Sequence, residues 1–457
     1  MLIKVGQKFE TWMRKVLPDP LVIAIILTLI VGLLAVIFTP TTPIQVVENW
    51  SKGFWELIAF TMQVAFGLIA GAVLAKSPIV NRGMVKLCSL PKKNSSAVLL
   101  LSFTTLVLWW VNWGIGLIAG AFLAKEMAVQ LSKKNVPYHL PLLAAGGYSG
   151  IMTYEMGLTG AIPLQIAAAG HRFEEYMGVI PLSQTLFGSF NLICTAGVLI
   201  LIPLSLLLMS PKDPSKMTML DPAIVAAENA RKDARKQMRK KGSFAEKVEN
   251  MRFWSIFVGI MGIAYAINHF AKNGFNIDLN VFNLIILCLG MLAWLYPLDY
   301  AESFKEQTVQ SWGVLLQFPF YAGIMGMMVA ANDQGVSLAG VISEFFVSVS
   351  NNVTFPMLSF LAAGVVNFFV PSGGGQWAVQ GPIMMPAGAA MGIENGRTAM
   401  AIAWGDQWTN MIQPFWALPA LGIAKLSARD IMGYLVIVTL FVGVVACLGF
   451  LAWAAWF

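Results

Sequence analysis

The sequence predicts an all-α polytopic membrane protein built from two inverted-topology repeats, with about nine transmembrane helices plus two re-entrant hairpins. Three observations predict this fold class: the composition, a series of long apolar spans, and an internal repeat. Of the 457 residues, 57% are hydrophobic and 12% are charged, and the mean hydropathy is +0.70. Soluble domains carry about twice that share of charged residues, so the chain belongs in a membrane.

The spans follow from the length of the apolar segments. A helix needs about 20 apolar residues to cross about 30 Å of hydrocarbon. Segments that approach or exceed this length lie at residues 21–38, 57–75, 186–209, 253–270 and 431–457. Residues 1–20 mix basic and apolar side chains and contain no small-residue cleavage site, which predicts an N-terminal interfacial helix. Asp19 is placed to cap the helix that follows.

The second half of the chain repeats the order of rare residues in the first half at a spacing of about 256 residues. Matched pairs include Pro40 and Pro297, Trp55 and Trp312, and Asn112 and Asn367. Matches between leucines would mean little in so apolar a chain, but tryptophan, asparagine and proline are scarcer. A duplication is therefore predicted, with the first repeat at residues 21–210 and the second at residues 280–457.

The longest polar segment, residues 211–250, separates the two repeats and contains a basic block at residues 231–241. Because positive loops stay on the cytoplasmic side, this linker and the N-terminus are predicted to be cytoplasmic. We interpret the linker as a solvated tether, with an amphipathic helix on anionic lipid as the alternative. An additional span at residues 251–272 reverses the direction of the second repeat. The same loop charges account for the net charge of +7 without nucleic acid as a partner.

Charge also predicts that two apolar segments turn back inside the membrane. If residues 97–131 crossed once, the lysines near their end would lie outside, against the positive-inside rule. A re-entrant hairpin with its tip at residues 112–116 returns those lysines to the inside. The repeat places a second hairpin at residues 355–391, entering from the opposite face, with its tip at residues 371–375. Two such tips suit alternating access.

Few side chains within the spans can carry chemistry. Glu155 and Asp406 are the ionisable residues there, and each costs about 2.5 to 3.5 kcal/mol at a helix centre. Asp406 is predicted to act in ion coupling or substrate binding, with a bond to a neighbouring helix as the alternative. The same two roles stay open for Glu155. The ion-coupling candidates are Asp406, Glu155, Asn367 and Asn410. A sodium ion is expected near Asn112 and Asn367, held by carbonyl oxygens, if sodium is the coupling ion.

No lysine or arginine lies in the middle of a span, so an anion would bind through other groups. A helix that begins after Gly375 would offer free N–H groups and a positive dipole end to a carboxylate. Helix packing is the alternative role for the glycines. The substrate-binding candidates are Asn112, Ser372, Gly373, Gly374, Gly375, Gln376, Trp377 and Trp408. The candidates for the apolar wall of a substrate pocket are Trp377, Trp404, Trp408, Phe415 and Trp416. Ordinary packing between helices is their alternative role.

Four segments of the chain resemble the bacterial short-chain fatty acid transporter family. They are LPDP at 17–20, QFPFYAGI at 317–324, VPSGGGQW at 370–377 and QPFWALPA at 413–420. The resemblance implies import of acetoacetate, butyrate or similar monocarboxylates by proton or sodium symport across the bacterial cytoplasmic (inner) membrane. It also implies kinship with the ion-transporter superfamily. The motif positions are Asn367, Ser372, Gly373, Gly374, Gly375, Gln376, Trp377, Asp406, Gln407, Trp408 and Asn410.

The chain departs from the family pattern at two places. Some members have histidine at the position of Gln376, and glycines occur where this chain has Tyr154, Glu155 and Met156. An ion-coupled carrier of another small anion or zwitterion, such as a dicarboxylate or an amino acid, therefore stays open, since Glu155 could hold an amine. A channel is a further alternative.

An enzyme is not predicted, because nucleotide-binding and metalloprotease motifs are absent from the sequence. The four cysteines show no paired spacing and are interpreted as small core residues. The expected partners are a small monocarboxylate and the lipid bilayer, with a homodimer as the candidate oligomer. No cofactor is expected other than Na+ as a coupling ion.

Overall fold

The computed structural model describes residues 18–39, 41–211, 213–220, 242–274, 278–331, 336–367, 370–413, 416 and 428–456. Within these ranges the chain forms α-helices joined by turns, and no β-strand occurs in them. Eight of the described helices are long and apolar enough to cross a membrane. The predicted class, an all-α polytopic membrane protein, is confirmed.

The first half contains the helices α1 (Pro20–Phe38), α2 (Pro43–Phe54), α3 (Ile58–Lys76), α4 (Pro78–Cys88), α5 (Asn94–Val111), α6 (Trp113–Lys133), α7 (Leu140–Ser149), α8 (Ala161–Ile166), α9 (Glu174–Met177) and α10 (Ser189–Leu208). Asp19 caps α1 as predicted, because its carboxylate accepts the N–H of Leu21 over 2.9 Å. After α7 the chain forms a 3₁₀ turn, Gly150–Thr153, and stays non-helical up to α8. The apolar segment at residues 140–169 is therefore broken.

The second half follows the short linker helix α11 (Phe244–Glu249) and the additional span α12 (Phe253–Asn273). Its helices are α13 (Leu279–Trp294), α14 (Pro297–Thr308), α15 (Trp312–Val329), α16 (Leu338–Val349), α17 (Phe355–Val366), α18 (Gly373–Ala390), α19 (Asn395–Asn410) and α20 (Ala428–Trp456). Helices α13 to α20 follow the order of α1 to α7 and α10. Most of the predicted interfacial helix (residues 1–17), the basic block and Phe415 lie outside the described residues.

Equivalent helices of the two halves make equivalent contacts. Helix α3 packs on α13 and α6, and its counterpart α15 packs on α1 and α18. In the same way α2 lies against α15, while α14 lies against α3. Such pairs are what a duplicated chain would produce. The inverted orientation of the repeats and their boundaries stay predictions.

Small residues bring the helices of the core close together. A Cβ built on Gly147 of α7 would lie 2.5 Å from the carbonyl oxygen of Gly120 in α6, and the reverse distance is 2.3 Å. Glycines allow two helix backbones to approach in this way. The contact holds α7, and hence the broken segment that follows it, against the first hairpin.

Each of the two predicted hairpins forms two helices with a break between them, but neither break has the predicted bounds. In the first hairpin Asn112 alone separates α5 from α6, because its side chain accepts the N–H of Ile115 over 2.8 Å and lets the helix restart at once. In the second hairpin α18 begins at Gly373, with Ser372 in the N-cap position. The prediction of a helix that begins after Gly375 is therefore wrong, since the three glycines form its first turn.

Candidate functional site

The breaks of the two hairpins meet at one cavity in the protein interior. Trp109 and Trp113 line it beside the first break, and Ser372 and Gly373 line it at the second. The rest of the lining consists of Val64, Ile151, Tyr154, Val314, Phe318, Asn410 and Trp416. The sequence predicted each tip separately, whereas their meeting is a result of the structure.

The cavity is small, with about 20 Å³ open to the centres of water molecules. One water needs about 10 to 15 Å³ by this measure, so the cavity has room for about one water and not for a four-carbon acid. In this conformation the cavity therefore cannot hold such a substrate. A substrate would enter only after the helices around the tips separate.

Asp406 is fully buried in α19, and half of its hydrogen-bonding capacity is used. Its Oδ2 accepts Nδ2 of Asn410 over 3.2 Å, whereas Oδ1 has no partner among the described groups. Asn410 Oδ1 in turn accepts Nδ2 of Asn367 over 2.9 Å. This network connects Asp406 to the end of α17, the first arm of the second hairpin.

Two further bonds fix this network in place. Gln413 Nε2 donates to the carbonyl of Asn367 over 2.9 Å, and the hydroxyl of Tyr148 donates to the carbonyl of Asn410 over 2.8 Å. Because Tyr148 belongs to α7, the network joins the two halves of the chain. Oδ1 of Asn367 has no partner among the described groups. That oxygen could bind a sodium ion, and Oδ1 of Asp406 could bind a sodium ion or a proton.

Glu155 lies fully buried in the broken segment between α7 and α8. Its Oε1 accepts the N–H of Ala161 and its Oε2 accepts the N–H of Ile162, each over 3.1 Å. Oε1 also lies against the second tip, since a Cβ built on Gly373 would be 2.1 Å from it. Glu155 therefore occupies the side of the glycine-rich tip where the sequence predicted a substrate carboxylate.

Glu155 and Asp406 are near enough to interact electrostatically, and Tyr154 lies within reach of both. Within the described part of the chain, ion pairs occur at the surface and none involves either carboxyl. Like charges in a low-dielectric interior repel strongly. A site with two acidic groups and no described basic partner therefore needs a proton or a cation before it can accept an anion.

Asn112 is fully buried at the first break. Its side-chain oxygen is engaged in capping α6, and its Nδ2 has no partner among the described groups. The cap fixes the orientation of the amide, because only the oxygen can accept the N–H of Ile115. Asn112 is therefore better placed to donate to a substrate than to bind sodium through its side chain.

The structure does not bring the two predicted substrate-binding tryptophans to the cavity. Trp408 donates its ring N–H to the carbonyl of Thr439 in α20 over 2.6 Å, and its ring lies 4.9 Å from that of Phe360. Trp377 packs edge-on against Phe173 at 5.7 Å. Neither residue belongs to the cavity lining. Both side chains pack between helices, which is the alternative that the sequence left open.

Packing also accounts for most of the glycine-rich turn. A Cβ on Gly374 would lie 2.4 Å from the ring of Phe60, and a Cβ on Gly375 would lie 2.5 Å from the ring of Tyr321. Gln376 donates across the hairpin to the backbone of α17 over 2.9 Å. These three residues lie behind the cavity, while Ser372 and Gly373 line it.

Two aromatic residues of the lining were missed as candidates. Tyr154 and Trp113 line the cavity with their rings 5.6 Å apart. Tyr154 stands next to Glu155, where the chain departs from the family pattern, and that departure was the signal that could have identified it. Gln407, one of the family-motif positions, is fully buried, and neither polar atom of its side chain has a partner among the described groups.

Comparison with known proteins gives a match over nearly the whole chain. The family model "Short chain fatty acid transporter" matches residues 1–453. A protein of Escherichia coli (strain K12) assigned as a short-chain fatty acid transporter is 39% identical over 449 residues, covering 98% of this chain and 99% of its own. A protein of Haemophilus influenzae (strain Rd) with the same assignment is 38% identical over 456 residues, covering 98% and 99%.

Two further similarities are partial or structural. A protein of Escherichia coli (strain K12) assigned as the basic amino acid antiporter YfcC is 27% identical over 158 residues, which is 32% of this chain and 31% of that protein. The YdaH transporter of Alcanivorax borkumensis has a similar fold, with a TM-score of 0.61 at 13% identity, covering 96% of this chain and 98% of that one. The family match and the two long alignments show that the chain belongs to the short chain fatty acid transporter family.

Proposed function

We propose that the protein imports short monocarboxylates such as acetoacetate or butyrate across the bacterial cytoplasmic membrane by symport with a proton or a sodium ion. Family membership supports the substrate class. The observation that supports ion coupling is the pair of buried carboxyls beside the cavity where the two tips meet, Glu155 and Asp406. A homodimer and a cytoplasmic N-terminus stay predictions.

The charge of the site supports obligatory coupling. A substrate carboxylate would be the third acidic group in a water-poor interior, and repulsion there is weakly screened. A proton on Glu155 or Asp406 would remove one negative charge. A sodium ion at the free oxygens of Asp406 and Asn367 would have the same effect. Substrate and coupling ion would then cross with their charges cancelled.

The cavity lining supports a short apolar tail on the substrate. The first N–H groups of α18 would hold the carboxylate, while Val64, Val314 and Phe318 would contact the tail. Asn112 lies outside the lining in this conformation, and its unpaired Nδ2 would become a second donor when the helices around the tips separate. Each buried CH₂ contributes about 0.8 kcal/mol, which is about fourfold in affinity. The apparent affinity should therefore rise from acetate to butyrate.

Uptake of radiolabelled butyrate and acetoacetate into proteoliposomes, under imposed proton or sodium gradients, tests the proposal. Asp406→Asn keeps an acceptor for Asn410 but cannot take up a proton as a carboxylate does, so it should lose gradient-driven accumulation. Asp19→Asn is the matched control, because asparagine caps a helix as well as aspartate does. Accumulation by Asp406→Asn at the wild-type level would remove Asp406 from the coupling. If neither acid is taken up under either gradient, the proposed substrate class is refuted.

An ion-coupled carrier of an amino acid is the second candidate. The carboxylate of Glu155 beside Gly373 could pair with a substrate amine, and the partial similarity to a protein assigned as a basic amino acid antiporter supports this option. Competition distinguishes the candidates. Excess lysine or alanine should leave butyrate uptake unchanged if the protein carries monocarboxylates. A dicarboxylate is less favoured, because the described lining contains no basic residue.

A further inference from the structure

A second buried polar cluster lies away from the cavity, where the chain leaves α10 and enters the linker of residues 211–250. Residues 217–220, here called the strap, run beside the start of α7. The backbone N–H of Thr218 donates to Nδ1 of His139 over 3.0 Å, and the carbonyl of Thr218 accepts the N–H of Leu140 over 2.8 Å. The strap is therefore held through both backbone polar groups of one residue.

A third bond holds the far end of the strap. The N–H of Leu220 donates to the hydroxyl of Tyr138 over 3.0 Å, and that hydroxyl also lies 2.8 Å from Oγ of Ser132. The side chain of Leu220 is only 6% exposed. The strap is thus docked by hydrogen bonds and by an apolar anchor in the first part of the linker, before its basic block.

The contacts of His139 fix its protonation state. Nδ1 accepts an N–H, so it carries no proton, and Nε2 must then be the nitrogen that donates to the hydroxyl of Tyr434 in α20 over 2.9 Å. A proton added to Nδ1 would face the N–H of Thr218. The imidazolium has no acceptor to offer, so protonation breaks this bond.

The charged and titratable groups nearest the ring lie on α20 and at the end of α6. Tyr434 is the titratable group in contact with it, and Asp430 lies one turn earlier on α20. At the end of α6, Lys134 binds the carbonyls of Ser89 and Pro91, and its neighbour Lys133 is exposed. Burial lowers the pKa of His139 below its ordinary value of 6.5.

We propose that His139 is a pH-sensitive latch: its neutral ring docks the strap on α7 and α20, and its protonation releases the strap. The direction of the pH dependence follows from the linkage between proton binding and docking. Because the docked ring has the lower pKa, the docked state binds fewer protons than the released state and loses stability as the pH falls through and below 6.5. At neutral and alkaline pH the strap stays docked.

The latch lies on the face of the protein that carries the linker. A carrier that imports protons with an acid would acidify the compartment behind that face, so accumulation would release the strap. This consequence rests on the proposed function, whereas the latch itself does not. A test of docking alone therefore remains valid if the transported substrate proves to be different.

Spin labelling of the strap tests the latch in the full-length protein. Met219 is 54% exposed, so Met219→Cys can carry a nitroxide in a background with Cys194→Ala and Cys447→Ala. In lipid nanodiscs the label should change from an immobilised to a mobile spectrum between about pH 7 and about pH 5. An unchanged spectrum over that range would overturn the proposal.

Three variants identify the titrating group. His139→Asn, which can still accept the N–H of Thr218 but does not titrate, should abolish the pH response. Thr218→Pro lacks the donor N–H and should give the mobile spectrum at every pH, which keeps the test informative if asparagine docks poorly. The double variant His171→Gln/His269→Gln, which removes the other two histidines of the chain, should respond as wild type. A response that persists in His139→Asn, or that is lost in the double variant, would refute the assignment.

Discussion

The Oε1 atom of Glu155 lies where a side chain of Gly373 would begin, 2.1 Å from the position of a Cβ built on that glycine. The contact joins the broken segment of the first half to the tip of the second hairpin. Because Oε1 also accepts the N–H of Ala161, the carboxyl cannot withdraw without losing a hydrogen bond. The second tip can therefore move relative to α8 only if this contact opens.

Gly373→Ala should displace Glu155 and stop transport. The added methyl group overlaps the carboxyl, and overpacking of this kind costs about 1 to 3 kcal/mol of folding free energy. Thermal unfolding and uptake would be measured for Gly373→Ala, Glu155→Ala and the double variant. Because the two residues touch, their effects should be non-additive by at least about 0.5 kcal/mol. Additive effects would show that the contact is not made in the membrane.

Gly375→Ala should destabilise the protein through packing alone. Its Cβ would lie 2.5 Å from the ring of Tyr321, with an expected cost of about 1 to 3 kcal/mol. Gly83→Ala in α4 is the matched control, since a Cβ there has nothing within 4 Å. Alanine in a helix interior is favoured over glycine by up to about 1 kcal/mol. The melting temperature should fall in the first variant and stay level or rise in the second.

Trp408→Phe should lower stability without changing substrate affinity. It removes the bond to the carbonyl of Thr439, and the net loss of one such hydrogen bond costs about 0.5 to 1.5 kcal/mol. Because Trp408 lies outside the cavity lining, KM should stay within about twofold of wild type, which is less than the effect of one buried CH₂ on affinity. Tyr154→Phe changes a residue of the lining, so it should change KM and leave the melting temperature near that of wild type. A large KM change in Trp408→Phe would return that residue to the site.

Asn112→Ser and Asn112→Ala should separate the capping role of this residue from its binding role. Serine caps α6 nearly as well as asparagine does, whereas alanine costs about 0.5 to 2 kcal/mol. Neither variant supplies the free amide, so transport should fall in both. Only the alanine variant should melt at a lower temperature. Wild-type transport by Asn112→Ser would limit Asn112 to capping.

Much of the helical architecture could be predicted, because hydrocarbon requires long apolar helices and few other signals are as strong. The break at Asn112 and the second tip at Ser372 were found for the same reason, since polar and glycine residues there interrupt apolar runs. The short helices α2 and α14 were missed because they are polar enough to resemble loops. The break after α7 was missed although Glu155 and three glycines fall within residues 150–160, because the apolar run on either side of them was long enough for one span.

The orientation of side chains within the core could not be predicted. Helices α18 and α19 are buried on all sides, so no polar face shows which residues point to the cavity. Trp377 and Trp408 were placed at the site for their size, while Tyr154 was not. The meeting of the two tips is a tertiary contact between distant parts of the chain, and local pattern contains no information about it.

The narrowness of the central cavity has an electrical consequence. A void with room for about one water interrupts any file of hydrogen-bonded molecules along which protons could hop between the two faces. In this conformation the described residues around the cavity therefore offer protons no continuous water path. Idle copies held in this conformation would not short-circuit the membrane potential of a cell.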